Sequence, residues 1–243
     1  MLSSVRFENI LFLDIETVPQ YASWDEIPEP YKRLWDKKSS YIRKENETAA
    51  DVYRRAGIYA EFGKIICIST GMLGTRNQIP CFRITSLSGD QEENILSGFK
   101  ALLDRISHRR DVLLCAHNGK EFDFPFLARR FLVSGIDLPE ILDTSGKRPW
   151  ETRHLDTMEL WKFGDHKHYT SLELLAALFH IPSPKTDIDG SQVAEVYYQQ
   201  KDLKKIVEYC QRDVVAIAQL VRRFMGESLL APEHIEVVGE EKR

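Results

Sequence analysis

The chain has 243 residues, 43% of them hydrophobic and 29% charged, with a formal net charge of −4. These values fit a globular protein of one large domain or two small ones, and they exclude collagen-like, low-complexity and disordered classes. With no overall basic excess, a polyanionic partner has to be held by a local patch or through metal ions.

Cys67, Cys81, Cys115 and Cys210 lie in or beside apolar stretches and form no Cys-x-x-Cys. That is the pattern of reduced, buried thiols in a cytoplasmic protein, and it makes a zinc site improbable. Glu8 and Asp14 bracket the short apolar run at the N-terminus, which is not a signal-peptide layout. No stretch reaches the length of a membrane span, so no membrane partner is expected.

The first predicted strand covers 10–15, and Pro19 closes its segment. Residues 20–60 differ in character: Trp24, Trp35 and five tyrosines stand among many charges, with helical patches expected near 30–38 and 46–56. Between 31 and 55, eight basic residues (Lys32, Arg33, Lys37, Lys38, Arg43, Lys44, Arg54, Arg55) oppose four acids (Asp36, Glu45, Glu47, Asp51), a balance of +4. The segment reads as an insertion within the domain. It forms either one wall of a nucleic-acid groove or a helical excursion packed over its own aromatics.

KIICIST (64–70) and IPCFRIT (79–85) are the next two strands, with turn signals at Gly71, Gly74 and Asn77. A helix over 91–107 follows, with Ile95, Leu96, Phe99, Leu102, Leu103 and Ile106 at the helical period. Glu92 and Glu93 in its first turn and Arg109 and Arg110 past its end suit the helix dipole. VLLCAH (112–117) is a strand of the kind buried on both faces. A helix over 124–134 has Pro125 in its first turn and Gly135 at its end. RHLDTMEL (153–160) is expected as a strand, and Thr170 with Glu173 as the capping box of a helix over 171–180. A shorter helix over 190–199 precedes a long one over 202–225, whose stripe is Leu203, Ile206, Val207, Cys210, Val214, Ile217, Val221 and Phe224. Three antiparallel strands, then helices alternating with parallel strands, predict an α/β fold with a mixed sheet flanked by helices. Residues 227–243 are expected as a frayed acidic tail beyond a domain ending near 226.

Three places carry chemistry. In FLDIETVP, Asp14 and Glu16 stand two apart on a strand and so share a face. Two adjacent carboxylates in an apolar setting need a shared proton or a cation, and hard oxygen donors suit Mg²⁺ or Mn²⁺. Alternatively, Asp14 caps a turn and Glu16 is solvated. In HNGKEFDFP, Asp123 begins a helix after a buried strand and on its own reads equally as an N-cap. In YCQRD, Tyr209 and Asp213 are four apart on the long helix and are neighbours on one face.

An Asp-x-Glu strand, an Asn-x-x-x-Phe-Asp loop and a Tyr-x-x-x-Asp helix, in this order, resemble the DEDD superfamily of 3′-5′ exonucleases, in the subgroup whose third motif carries Tyr. The stretches AEFGKIICIST and KTDIDGSQV resemble more narrowly the stand-alone relatives of the proofreading domain of family B DNA polymerases. The resemblance implies a ribonuclease H-like exonuclease domain over 1–226, with a helical insertion at about 20–60. It implies that Asp14, Glu16, Asp123 and Asp213 hold two divalent ions, Mg²⁺ or Mn²⁺, with Asp14 bridging both. Tyr209 would position the attacking water, and Thr17 and Asn118 would lie beside the terminal nucleotide. Two metals serve both ends of an in-line displacement at phosphorus, and four carboxylates nearly neutralise them. The substrate it favours is single-stranded DNA, with RNA and short oligonucleotides open, because contacts to the 2′-hydroxyl decide the sugar. A replication or repair protein is the partner class it suggests.

Other residues carry two readings each. Asp156 is a structural acid or a support to the site; Lys185 is a solvated loop lysine or a phosphate contact. His117 is expected to be packed and hydrogen-bonded, and His166 and His168 lack partners for zinc. Arg129 and Arg130 form a solvated face or reach backbone phosphates. Competing functions are a non-catalytic nucleic-acid-binding module, a proofreading subunit of a larger assembly, and an acid-box phosphohydrolase with an aspartyl nucleophile. The helix bearing Tyr209 and Asp213 has no part in the last.

Overall fold

The computed structural model describes residues 2, 4–108, 111–148, 151–165, 169–182 and 188–239. Its central strand, β1 (Ile10–Pro19), continues past the apolar run, so Asp14 and Glu16 lie inside the strand and not behind it. β1 runs antiparallel to β2 (Gly63–Arg76) and parallel to β4 (Leu113–Ala116). β2 turns back antiparallel into β3 (Ile79–Ser88), and β5 (Leu155–Asp156) lies parallel beside β4. β6 (Ile235–Val237) pairs in parallel with β3, so this part of the expected frayed tail belongs to the sheet. The order is β5-β4-β1-β2-β3-β6, the mixed α/β sheet that the patterning predicts.

Both faces of β1 are covered, which is why it reads as a continuous apolar run. Leu11, Leu13 and Ile15 pack against α2 (Glu92–Ile106) and α3 (Asp123–Val133). Ile10 and Phe12 pack against Val214, Ile217 and Val221 of α7 (Leu203–Phe224). The two-residue period then puts Asp14 and Glu16 on the α7 side. Asp202 caps α7 by accepting the Lys205 N–H at 3.0 Å.

Local chemistry explains where other elements depart from expectation. The β2–β3 turn is Asn77-Gln78, both in the left-handed region (φ 50° and 67°), as a two-residue hairpin demands. Gly71 lies inside β2 instead, where a Cβ would come within 2.4 Å of Phe82 and 2.8 Å of Val214. The strand expected at 153–160 stops after two residues, because the Asp156 carboxylate accepts the N–H groups of Met158 and Glu159 at 2.9 and 3.2 Å and starts α4 (Thr157–Lys162). Ser171, not Thr170, caps the next helix, α5 (Leu172–Leu178). The helix expected at 190–199 is a short turn, α6 (Val193–Glu195), running into a wide π turn over Val196–Gln200. Arg109 and Arg110 lie outside the described residues.

In the 20–60 segment one helix forms, α1 (Glu29–Ser39), and a 3₁₀ turn at Tyr53–Ile58 replaces the second. The aromatics make a small core of their own. Trp35 is fully buried, with ring centres of Phe62, Tyr59 and Tyr53 at 5.2, 5.9 and 6.0 Å, and its Nε1–H donates to the Ala49 carbonyl at 2.9 Å. Lys32 and Lys38 cover the rings of Trp24 and Tyr59. Arg130 neither faces solvent nor reaches toward a phosphate. It is buried in a bidentate ion pair with Glu92, donating Nε at 2.9 Å and giving Nη1 to the Ala60 carbonyl at 2.9 Å. Glu92 also accepts the Ile65 N–H at 2.7 Å. Arg129 is exposed.

Breaking one partner of a buried pair strands the other. Arg130→Met should cost about 3–5 kcal/mol, measured as a lowered chemical-denaturation midpoint. Adding Glu92→Leu should recover only part of it, because Ile65 N–H and Ala60 C=O stay unpartnered. Full tolerance of the single variant would contradict the role of this pair.

Candidate active site

One carboxylate oxygen each from Asp14 and Glu16 and the Cys210 sulfur lie within 4.8 Å of one another. The Cys210 thiol donates to the Asp14 carbonyl at 3.3 Å, fastening α7 to β1 beside the acids. Asp123 approaches from the first turn of α3. It is no N-cap: Phe122 holds that position, and Asp123 Oδ1 accepts the Ile15 N–H of β1 at 3.2 Å. Asp213 stands one turn beyond Tyr209 on α7, with the Tyr209 hydroxyl in hydrogen-bonding reach.

Burial is the largest influence on each acid. It raises Asp14 well above the usual carboxylate range, helped by the charges of Glu16, Asp213 and Asp123. Glu16 is raised by burial and then by Asp213. Asp123 is pushed up to about 7 by burial, against the bond from Ile15. Asp213 is pushed up to about 6 by burial, restrained by the Tyr209 hydrogen bond and the Arg212 charge. The Tyr209 phenol is driven far upward by burial and by Asp213, Glu16 and Asp14, so it remains protonated and serves as a donor. Asp14 Oδ2 is buried without a hydrogen-bond partner. Crowded hard oxygens with one left orphaned are what a divalent cation satisfies, so these residues fit Mg²⁺ or Mn²⁺.

The loop after β4 closes the site. Asn118 adopts φ 61°, a conformation Asn tolerates, and its Oδ1 is buried with no partner. Asp156 accepts the N–H groups of Asn118 and Lys120 at 3.0 and 3.1 Å besides the two at α4, so its role is to pin this loop. His117 is packed as expected: Nε2 donates to the Thr170 carbonyl at 2.9 Å and Nδ1 accepts from the Thr157 hydroxyl at 2.8 Å. Burial lowers its pKa, and with both nitrogens engaged it is no base.

A cleft of about 770 Å³ opens over Asp14, Glu16 and Asp123, bordered by Thr17, Asn118, Tyr169 and the turn carrying Arg54 and Arg55. The Thr17 hydroxyl donates to the Gly57 carbonyl at 2.8 Å, so it ties that turn to β1. Lys185, His166 and His168 lie outside the described residues. On sequence grounds Cys210 is only a stripe residue; its place between Tyr209 and Asp213 is the signal that could have found it. Tyr169, in a polar loop, gives none.

The six-stranded mixed sheet flanked by helices carries Asp14 and Glu16 on its central strand. A family described as "Predicted 3'-5' exonuclease related to the exonuclease domain of PolB" matches residues 58–227, and the chain belongs to that family. Over 138 residues it is 23% identical to a DNA polymerase of Pyrococcus glycovorans, a match spanning 51% of this chain and 17% of that protein. The family B DNA polymerase from the hyperthermophilic archaeon Pyrobaculum calidifontis superposes with a TM-score of 0.58 at 13% identity, covering 89% of this chain and 24% of the polymerase. The chain thus corresponds to less than a quarter of either polymerase's length. No helix among the described residues is long and apolar enough to cross a membrane.

The raised acids set a pH dependence. Asp213 and Asp123 hold protons to about 6 and about 7 when folded, against an ordinary 3.8. The stability they contribute is fully present below pH about 4 and is lost as pH rises through 6 to 7. Cation binding competes with the same protons. Added Mg²⁺ or Mn²⁺ should raise the melting temperature more at pH 8 than at pH 5; at pH 8, a hundredfold excess over Kd adds about 2.7 kcal/mol of stability. An equal shift at both pH values would remove these carboxylates as the metal's seat.

Proposed function

We propose that the protein is a metal-dependent 3′-5′ exonuclease hydrolysing phosphodiester bonds at 3′ ends, with single-stranded DNA as the favoured substrate. The observation that carries this reading is the convergence of Asp14, Glu16 and Asp123 in one open cleft, within the field of Asp213. Membership in the polymerase-related exonuclease family supports it.

Asp14, Glu16, Asp123 and Asp213 would hold two divalent ions, Mg²⁺ or Mn²⁺. When bound, these ions would supply Lewis-acid stabilisation at both ends of the displacement. Tyr209, protonated and beside Asp213, would donate a hydrogen bond that orients the attacking water. Asn118, which lines the cleft, would lie beside the terminal nucleotide. Thr17 shapes the cleft through its bond to Gly57 rather than with a free hydroxyl. Lys185 is a candidate phosphate contact from its sequence position. RNA is the second substrate class, since the acids do not distinguish the sugar. A replication or repair assembly is the partner class that the polymerase relationship favours.

A non-catalytic binding module is disfavoured, because such a module gains nothing from burying carboxylates that repel its ligand. The test is digestion of an end-labelled single-stranded DNA and a matched RNA with Mg²⁺, with Mn²⁺ and with EDTA. Wild type should shorten the strand from its 3′ end only with metal. Asp14→Ala should lower the rate by about 10³-fold or more. Tyr209→Phe, which keeps the ring and loses the donor, should lower it by about 10²-fold. Metal-independent cleavage, or full activity of Asp14→Ala, would overturn the proposal.

A further inference from the structure

Resting on that reading, we propose that Arg54 and Arg55 form the strand-holding wall of the cleft and contact backbone phosphates on the 5′ side of the scissile one. Three carboxylates line the cleft, and a nucleic acid entering it is a polyanion. Among the described residues, the cationic side chains lining it are Arg54 and Arg55, His117 being held neutral by burial. The other described basic residues of the insertion do not line it; Lys32 and Lys38 cover aromatic rings, and Arg43 pairs with Asp36 at 3.0 Å.

The wall is built rather than loose. Arg54 and Arg55 sit in the 3₁₀ turn Tyr53–Ile58. Tyr53 and Ala56 of that turn are buried in the Trp35 core, and Gly57 is tied to Thr17, next to Glu16. The Arg54 side chain is 67% exposed and pairs with Glu195 at 3.6 Å, a surface pair weak enough for a phosphate to displace. Guanidinium groups match phosphate geometry in two-pronged contacts. Tyr169, exposed on the same cleft, offers a ring for an unpaired base. The family match starts at residue 58, so both arginines lie in a part of the chain that it does not reach.

The test compares wild type, Arg54→Ala/Arg55→Ala and Arg54→Lys/Arg55→Lys on two substrates. One is a single-stranded 10-mer; the other is thymidine 5′-p-nitrophenyl phosphate, a diester with no upstream strand. The alanine variant should lose at least tenfold more kcat/KM on the 10-mer than on the diester, chiefly through KM. Its log–log salt slope should be shallower by about 0.7 for each phosphate that the protein no longer neutralises. The lysine variant, which keeps the charges, should keep most of that slope. Equal losses on both substrates, or none on the 10-mer, would overturn the proposal. Should wild type cleave neither substrate, the exonuclease reading fails by itself. Anisotropy titration of the labelled 10-mer then decides the wall: weaker, less salt-dependent binding by the alanine variant supports it, and equal binding sinks it.

Discussion

The site depends on burying like charges on a strand that is also the centre of the core. Ile10 and Phe12 must face α7, and the two-residue period carries Asp14 and Glu16 to that same face. A one-residue slip would turn the acids toward α2 and α3 and expose the apolar set to the wrong layer. The strand resists such a slip because it pairs on both edges, antiparallel with β2 and parallel with β4. The pairing with β2 shifts just after Glu16, leaving Ile66 out of register between Cys67 and Ile65. Ile66 and Cys67 then both pack with Ile206 and Cys210 of α7. A bulge beside the acids re-aims the chain at the candidate site, a common place for such irregularities.

The insertion is fixed to this frame at its far end. Glu92 and Arg130 clamp the Ala60 carbonyl and the Ile65 N–H, the residues joining the insertion to β2. A clamp of this kind is not evident from sequence spacing, since Glu92 reads as a helix-dipole acid and Arg130 as a surface base. Burial decides otherwise: the pair crosses two helices, and no one-dimensional pattern reports that.

Legibility follows the range of the interactions. The long elements β1 to β3, α2, α3 and α7 are readable because the layers that cover them set their apolar patterns: a continuous run where both faces are buried, as on β1, and a helical stripe on α2 and α7. Short elements are misread where a single polar side chain overrides the pattern. The Asp156 carboxylate turns an apparent strand into a cap, and of the turn signals at Gly71, Gly74 and Asn77 it is Asn77, with Gln78, that makes the turn. The acids of the candidate site are legible as types at a spacing, and Asp123 reads as a cap on any local rule. Only its bond to Ile15 on β1, 108 residues away in the chain, shows that it turns inward.

Floor and wall therefore answer to different constraints. A change at Cys210 or Asp123 alters a side-chain contact that docks α7 or α3 onto β1, so it perturbs packing; Asp14 meets the Cys210 thiol with its backbone carbonyl, which a side-chain change leaves in place. Arg54 and Arg55 project from a turn whose backbone is held by Trp35, Tyr53 and Thr17, while among the described residues their own side chains make marginal bonds: the pair to Glu195, and a 3.4 Å contact from Arg55 to the Ile42 carbonyl. Substitution there changes the charge on the cleft wall at little expense to the fold. A rigid turn bearing replaceable cations beside a buried acidic floor lets the charge of the cleft wall vary while the floor of the candidate site stays fixed.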